Sequence, residues 1–301
     1  MIVRGDKKVK KWGIDISAYQ GSYDMQRAKQ DGIDFVVIRG GGGDGGKSGN
    51  GLYVDSKFIC NYNNAKKYGI PCGVYWFSHA LTTDDAVREA EYCYNKILRG
   101  KKFELPVYLD IEHQDHMRIG RRALTDVIIA FCDYLEKRGY FVGVYSGLYF
   151  FQNYMIDSEL TRYTHWVACW GSSCNYPYTS CYGMWQFGGG TENRLRSPYV
   201  AGQAVDQNYM FVDFPRIIKS AGLNGYTVAQ DVKAKEEKVK EEKVTEEKKY
   251  KTLTLGLIQD VVAGKYGNGK TRKDMLTQAG YNYDDVQAAV NAYIRAQSDR
   301  G

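Results

Sequence analysis

Two carboxylates, two residues apart at the end of an apolar run, are the side chains of this sequence best placed to do chemistry. The stretch PVYLDIEHQD (106–115) reads as a strand, so Tyr108, Asp110 and Glu112 share one face and Val107, Leu109 and Ile111 the other. Acids held so close do not both ionise easily, and a sequence selected only for stability avoids them. One acid that keeps its proton beside another that does not is the arrangement glycoside hydrolysis needs: one group protonates the leaving oxygen and the other stabilises the oxocarbenium-like centre. Asp15, in WGIDIS (12–17), and Asp206, in AVDQNYM (204–210), lie on two further strand-like segments. Alone, any of these acids is more readily a cap or an ion-pair partner. Together they are interleaved with Tyr19, Tyr75, Phe77, Tyr145, Trp166, Trp170 and Trp185. Most of the 26 tyrosines and 5 tryptophans serve the core, but those beside the acids are placed to stack on a flat ligand such as a sugar.

The elements that must position these groups are short β-type runs at 12–17, 34–40, 72–78, 106–112 and 141–147. Helical patterns separate them around 22–31, 55–69, 82–99 and 121–138; in the last, Leu124, Val127, Ile128, Phe131 and Leu135 recur at helical spacing. Three more strands follow with little helix between them, at 165–170, 182–187 and 204–210. Strand–helix alternation implies a parallel sheet, and eight strands of which five carry helices predict an α/β fold, a closed but irregular barrel. In such barrels function gathers at the C-terminal strand ends. Closure makes the first and last strands neighbours, which sets Asp15 beside Asp206 and turns the Asp110/Glu112 pair toward them.

GIDISAYQG (13–21), GVYWF (73–77), LDIE (109–112), WVACW (166–170), MWQF (184–187) and VDQNYM (205–210) resemble, in order and spacing, the family 25 glycoside hydrolases. These are N-acetylmuramidases, or Chalaropsis-type lysozymes, and the likeness covers roughly residues 10–220. The resemblance implies a flattened (β/α)5(β)3 TIM-like barrel and cleavage of the β-1,4 bond between N-acetylmuramic acid and N-acetylglucosamine, with no metal or cofactor. It implies Glu112 as general acid and Asp110 as the group assisting at the reacting centre, as nucleophile or by orienting the substrate's 2-acetamido group. Asp15 and Asp206 match two remaining pocket acids expected to raise the proton affinity of Glu112, and Trp185 and Gln186 match a pocket wall. A non-catalytic lectin on the same barrel, or a glucosaminidase, are the alternative readings.

Beyond about residue 226 the composition changes to VKAKEEKVKEEKVTEEKK (232–249), whose Glu-to-Lys spacing and balanced charge predict a semi-rigid helical spacer over 227–252. Past it, Leu257, Val261 and Val262, then Met275 and Leu276, then Val286, Val290 and Ile294 predict a three-helix unit over 253–301, with Gly-rich turns between. This segment resembles the CW_7 cell-wall-binding repeat. The resemblance implies peptidoglycan binding, for which Asp260, Gly264, Gly267, Gly269, Arg272 and Tyr281 are the candidates, although the glycines serve equally well as turn formers. A single copy binds weakly, so homo-oligomerisation through this region is expected to add avidity.

The net charge of +6 suits an anionic partner such as wall polymer, and no nucleic-acid recognition motif accompanies it. No run approaches a membrane span, and the N-terminus lacks the apolar core of a secretory signal. Seven scattered cysteines, several inside apolar patterns, indicate synthesis in a reducing cytoplasm; Cys174 and Cys181 flank a loop across which they could pair. With the family resemblance, these features fit a phage endolysin made in the host cytoplasm that acts on the wall after release by a holin; a host-encoded autolysin or a prophage gene is the alternative reading. GGGDGGKS (41–48) satisfies the P-loop pattern but opens no helix, so it is expected to be a loop at the groove rim. His113, Asp115 and His116 in EHQDH (112–116), and His79, are read as polar rim residues rather than metal ligands.

Overall fold

The computed structural model describes residues 9–45, 51–178, 180–227, 250–251 and 253–298. The chain divides into two compact units that part between residues 228 and 229.

In the first unit, the strands are β1 (Lys11–Ile16), β2 (Phe35–Gly43), β3 (Leu52–Val54), β4 (Cys72–Phe77), β5 (Val107–Asp110), β6 (Val142–Gly147), β7 (Thr164–Ala168), β8 (Tyr182–Gly188), β9 (Tyr199–Val200), β10 (Gln203–Ala204) and β11 (Asp206–Met210). Among the described residues, eight of them close a barrel in the order β1-β2-β4-β5-β6-β7-β8-β11, and β11 pairs back to β1. Neighbours run parallel from β1 through to β8, whereas β11 is antiparallel to both β8 and β1. That reversal has a consequence for the acids. Asp206 is the first residue of β11, yet it stands level with Asp15 near the end of β1, as its direct cross-strand partner.

The helices of this unit are α1 (Met25–Gln30), α2 (Phe58–Lys67), α3 (Thr83–Cys93, continued by a π-type turn to Leu98), α4 (Arg121–Glu136), α5 (Leu148–Asn153), α6 (Asp157–Leu160) and α7 (Phe214–Ala221). The stripe expected on α4 is buried along its whole length. Strand alternation sorts the core into two layers. Val36, Ile38, Val74, Trp76, Leu109 and Ile111 face the helices. Val37, Tyr108, Tyr145, Trp166, Met184 and Met210 fill the barrel, with Phe214 and Ile218 of α7 packed among them. The Gly-rich 41–48 segment departs from its expectation at its start: Gly41–Gly43 extend β2 and pair with β3 in an antiparallel hairpin, and residues 46–50 lie outside the described residues.

In the second unit, α8 (Leu255–Val262), α9 (Gly269–Gln278) and α10 (Tyr283–Ser298) form the three expected helices. Thr254 caps α8 by accepting the Leu257 amide. Leu257, Val261, Leu276, Val286 and Val290 make the core. Val262 and Met275 are exposed instead, because each lies one position round the helix from a core residue; the Ile294 side chain lies outside the described residues. So does most of the charged spacer expected over 227–252.

Candidate active site

A groove at the end of the barrel where β1 and β5 finish and β11 begins holds all four acids. It comprises a cavity of about 550 Å³ continuing into one of about 270 Å³, and Asp15, Tyr75, Asp110, Glu112 and Asp206 line both. Strand β5 ends at Asp110, so Glu112 projects from the first residues beyond it. Asp110 is buried and its Oδ1 has no hydrogen-bond partner, whereas Glu112 stays exposed at the mouth. Two carboxyls of one segment therefore occupy different environments, one sequestered and one reachable.

The acids suppress one another's ionisation. Burial pushes Asp15 up to about 8, with the Asp206 charge adding to it, while hydrogen bonds from Asn208 and Gln186 pull the other way. Asp110 is held well above the usual carboxylate range by burial, then by Glu112 and Asp15; the Arg39 guanidinium opposes this. Asp206 is raised by burial, against a hydrogen bond from the Gly190 amide. Glu112 is raised first by burial and second by the Asp206 charge. A cluster of this kind retains protons near neutrality and can deliver one to a leaving oxygen.

The aromatic candidates divide. Tyr19, on a short turn fixed by reciprocal Ser17 and Gln20 hydrogen bonds, is 87% exposed over the groove, with the Arg39 guanidinium 5.2 Å from its ring centroid. Phe77 and Tyr75 line the wall. Tyr145, Trp166, Trp170 and Gln186 line the inner cavity, where Trp170 is half exposed and Trp166 is buried. Trp185 does not reach the groove. Alternation along β8 turns Met184 and Gln186 inward, so Trp185 packs outside the barrel with Phe187 and Tyr209 and donates its indole N–H to the Cys169 carbonyl.

Several residues at or behind the groove carried no signal strong enough to find them. Arg39 pairs with Asp55 at 2.6 Å, and Asp55 also accepts the Ala18 amide, which ties β2 to the Tyr19 turn. Asn208 donates to Asp15 at 2.8 Å from within a motif already noticed for Asp206. Gly189 packs so close to Trp170 that a Cβ there would lie 2.5 Å from its ring, a constraint foreshadowed only by the run of three glycines at 188–190. The histidines behave as rim and core groups. His79 and His113 rings lie 4.1 Å apart, His116 is buried and lowered to about 4 by that burial, and no cluster with metal-ligand geometry occurs among the described residues. All seven cysteines are free thiols, and Cys181 is buried against His165.

In the second unit, Gly264, Gly267 and Gly269 all adopt positive φ, which accounts for them as turn formers. Arg272 donates to the Gly267 carbonyl, Asn268 Oδ1 and Gln287 Oε1, and so braces the α8–α9 turn against α10. Asp260 pairs with Lys265 at the surface, and Tyr281 packs against the small core.

Residues 14–193 match the sequence profile of glycosyl hydrolases family 25, which is more than half of the chain. The chain belongs to that family. Residues 256–294 match the CW_7 repeat. An autolytic lysozyme of Clostridium acetobutylicum is 31% identical over 162 residues, covering 54% of this chain and 45% of the relative. Lysozyme M1 of Streptomyces globisporus is 31% identical over 102 residues, covering 34% and 32%. The match thus spans less than half the length of either relative. Among solved structures, the CTP1L endolysin superposes with a TM-score of 0.57 at 26% identity over 70% of each chain. The spore cortex lytic enzyme SleM of Clostridium perfringens gives 0.56 at 26% identity over 68% of each. This family 25 chain thus carries its acids and aromatics on the fold those structures share.

Proposed function

We propose that the chain is a peptidoglycan hydrolase of the lysozyme type, an N-acetylmuramidase (EC 3.2.1.17) that cleaves the β-1,4 bond between N-acetylmuramic acid and N-acetylglucosamine. The observation that carries this reading is the unequal pair at the end of β5. Glu112 is open to the groove yet holds its proton above the ordinary glutamate range, as a general acid must. Asp110, buried with an unpartnered oxygen, is placed to act at the anomeric centre, directly or through the 2-acetamido group, in the ionised form it takes once its proton has left. Asp15 and Asp206 keep the site proton-rich, and Tyr19, Phe77 and Trp170 offer surfaces for sugar rings.

Digestion of purified Gram-positive peptidoglycan, borohydride reduction and mass spectrometry test the reading. New muramitol ends support it; glucosaminitol ends mean a glucosaminidase, and no new ends mean a wall-binding lectin. Tyr19→Ala, a change at an exposed ring, should raise KM for soluble glycan roughly three- to tenfold with an unchanged melting temperature.

In this reading residues 1–226 do the chemistry, 227–252 space the units and 253–301 bind the wall. Arg272→Ala should cost the small unit about 1–2 kcal/mol and weaken sedimentation with purified walls, as checked by melting and pull-down of the full chain. Likeness to the CTP1L endolysin supports a phage lytic role, with a holin-type pore giving access to the wall, and likeness to the autolytic lysozyme supports a host role. Lysis of host cells upon co-expression with a pore-forming protein, and its absence without one, separates the two.

A further inference from the structure

Asp15 sits where burial, then the charges of Asp206 and Glu112, oppose its ionisation, while two buried amides donate to it. Gln186 Nε2 donates to Asp15 Oδ2 at 3.1 Å and Asn208 Nδ2 donates to the same oxygen at 2.8 Å. An amide can usually present either its oxygen or its nitrogen. Here the far side of each removes that freedom. Gln186 Oε1 accepts from the Trp170 indole N–H and from the Tyr145 hydroxyl, both at 3.0 Å, and Asn208 Oδ1 accepts from the Trp166 indole N–H at 2.8 Å. An indole N–H only donates, so rotating either amide would set N–H against N–H in a buried site. Gln186 is 2% exposed and Asn208 fully buried, so no solvent is at hand to compensate.

We propose that Gln186 and Asn208 are positioning residues: an amide relay, aimed by Trp166, Trp170 and Tyr145, that sets how firmly Asp15 holds its proton. The groups that face Asp15 from the surrounding strands are Asp206 on β11, Asp110 on β5 with Glu112 just beyond it, Tyr75 on β4 and Tyr145 on β6; Arg39 on β2 faces Asp110 and Tyr75. The acids push the carboxylate toward its protonated form, and the two amide donors work against them. Trp170 is also half exposed in the groove, so a sugar stacked on its ring bears on the same indole that aims Gln186. The relay rests on the hydrolase reading only for its effect on turnover, because the proton equilibrium is measurable without substrate.

The test is a carboxyl ¹³C titration of the full chain labelled at aspartate, with the Asp15 resonance assigned by its loss in Asp15→Asn. Gln186→Met and Asn208→Leu each delete one N–H donor and should each raise the Asp15 midpoint by about one pH unit. Trp170→Phe removes the indole N–H, together with one ring of a half-exposed side chain; it should move the midpoint the same way by less, and it decides the matter if neither buried variant folds. An unmoved Asp15 midpoint in every variant that melts like the parent overturns the relay, even where turnover falls, and leaves the amides as packing.

Discussion

Glu112→Gln is expected to lower kcat on peptidoglycan by about 10²–10⁴-fold, the range a positioned general acid supplies, with little change in KM or melting temperature. Glutamine keeps the shape and loses the transferable proton. Because Glu112 lies beyond the end of β5 and is exposed at the mouth of the groove, little packing depends on it. The loss should therefore fall on the chemical step, read as muramitol ends formed per unit time at saturating glycan. A pH series sharpens the assignment. Partial desolvation, then the Asp206 charge, raises Glu112. Activity that needs its protonated form should fall on the alkaline side, and Asp206→Asn should move that limb to lower pH by removing a neighbouring negative charge. An unchanged limb in Asp206→Asn would assign the general-acid proton elsewhere.

How much of this site was legible in the sequence depends on which physical rule placed each residue. Period-two alternation was enough to put Tyr108, Asp110 and Glu112 on the inner face, and barrel closure was enough to bring Asp15 to Asp206. The reason the second pairing works was not legible: β11 runs antiparallel, so an acid at the start of a strand meets one near the end of another. The same alternation that found the acids should have excluded Trp185, which is one residue out of phase with Gln186 on β8; its large aromatic ring in a motif outweighed its parity. Arg39 and Asn208 were missed for a different reason. Their roles arise from partners 16 and 193 residues away, Asp55 and Asp15, and no local pattern records such pairings. In the second unit the glycines were visible but ambiguous, and their positive φ angles account for glycine at those positions.

Asp15→Asn is expected to stabilise the first unit at alkaline pH while impairing activity. An ordinary aspartate in the unfolded chain titrates near 3.8, and in the folded chain Asp15 is raised to about 8 by burial and by Asp206. Between those values the folded state binds the extra proton, so stability from this group is complete below pH 4 and is lost as pH rises through 8. Asparagine carries no proton to lose. Its oxygen can accept the Gln186 and Asn208 donors as Asp15 Oδ2 does, so the hydrogen bonds survive the change. The variant and the parent should melt alike near pH 4 and diverge as pH rises. At pH 8 the gain should reach about 2 kcal/mol, or roughly 4–8 °C in a domain of this size. Asp206, Asp110 and Glu112 are raised as well, so a residual pH dependence should persist in Asp15→Asn and shrink further when Asp206→Asn is added. Melting curves from pH 4 to 9 check both statements. A gap between Asp15→Asn and the parent that stays flat across that window would mean that Asp15 is ionised throughout, as an anion rather than as a reserve of protons.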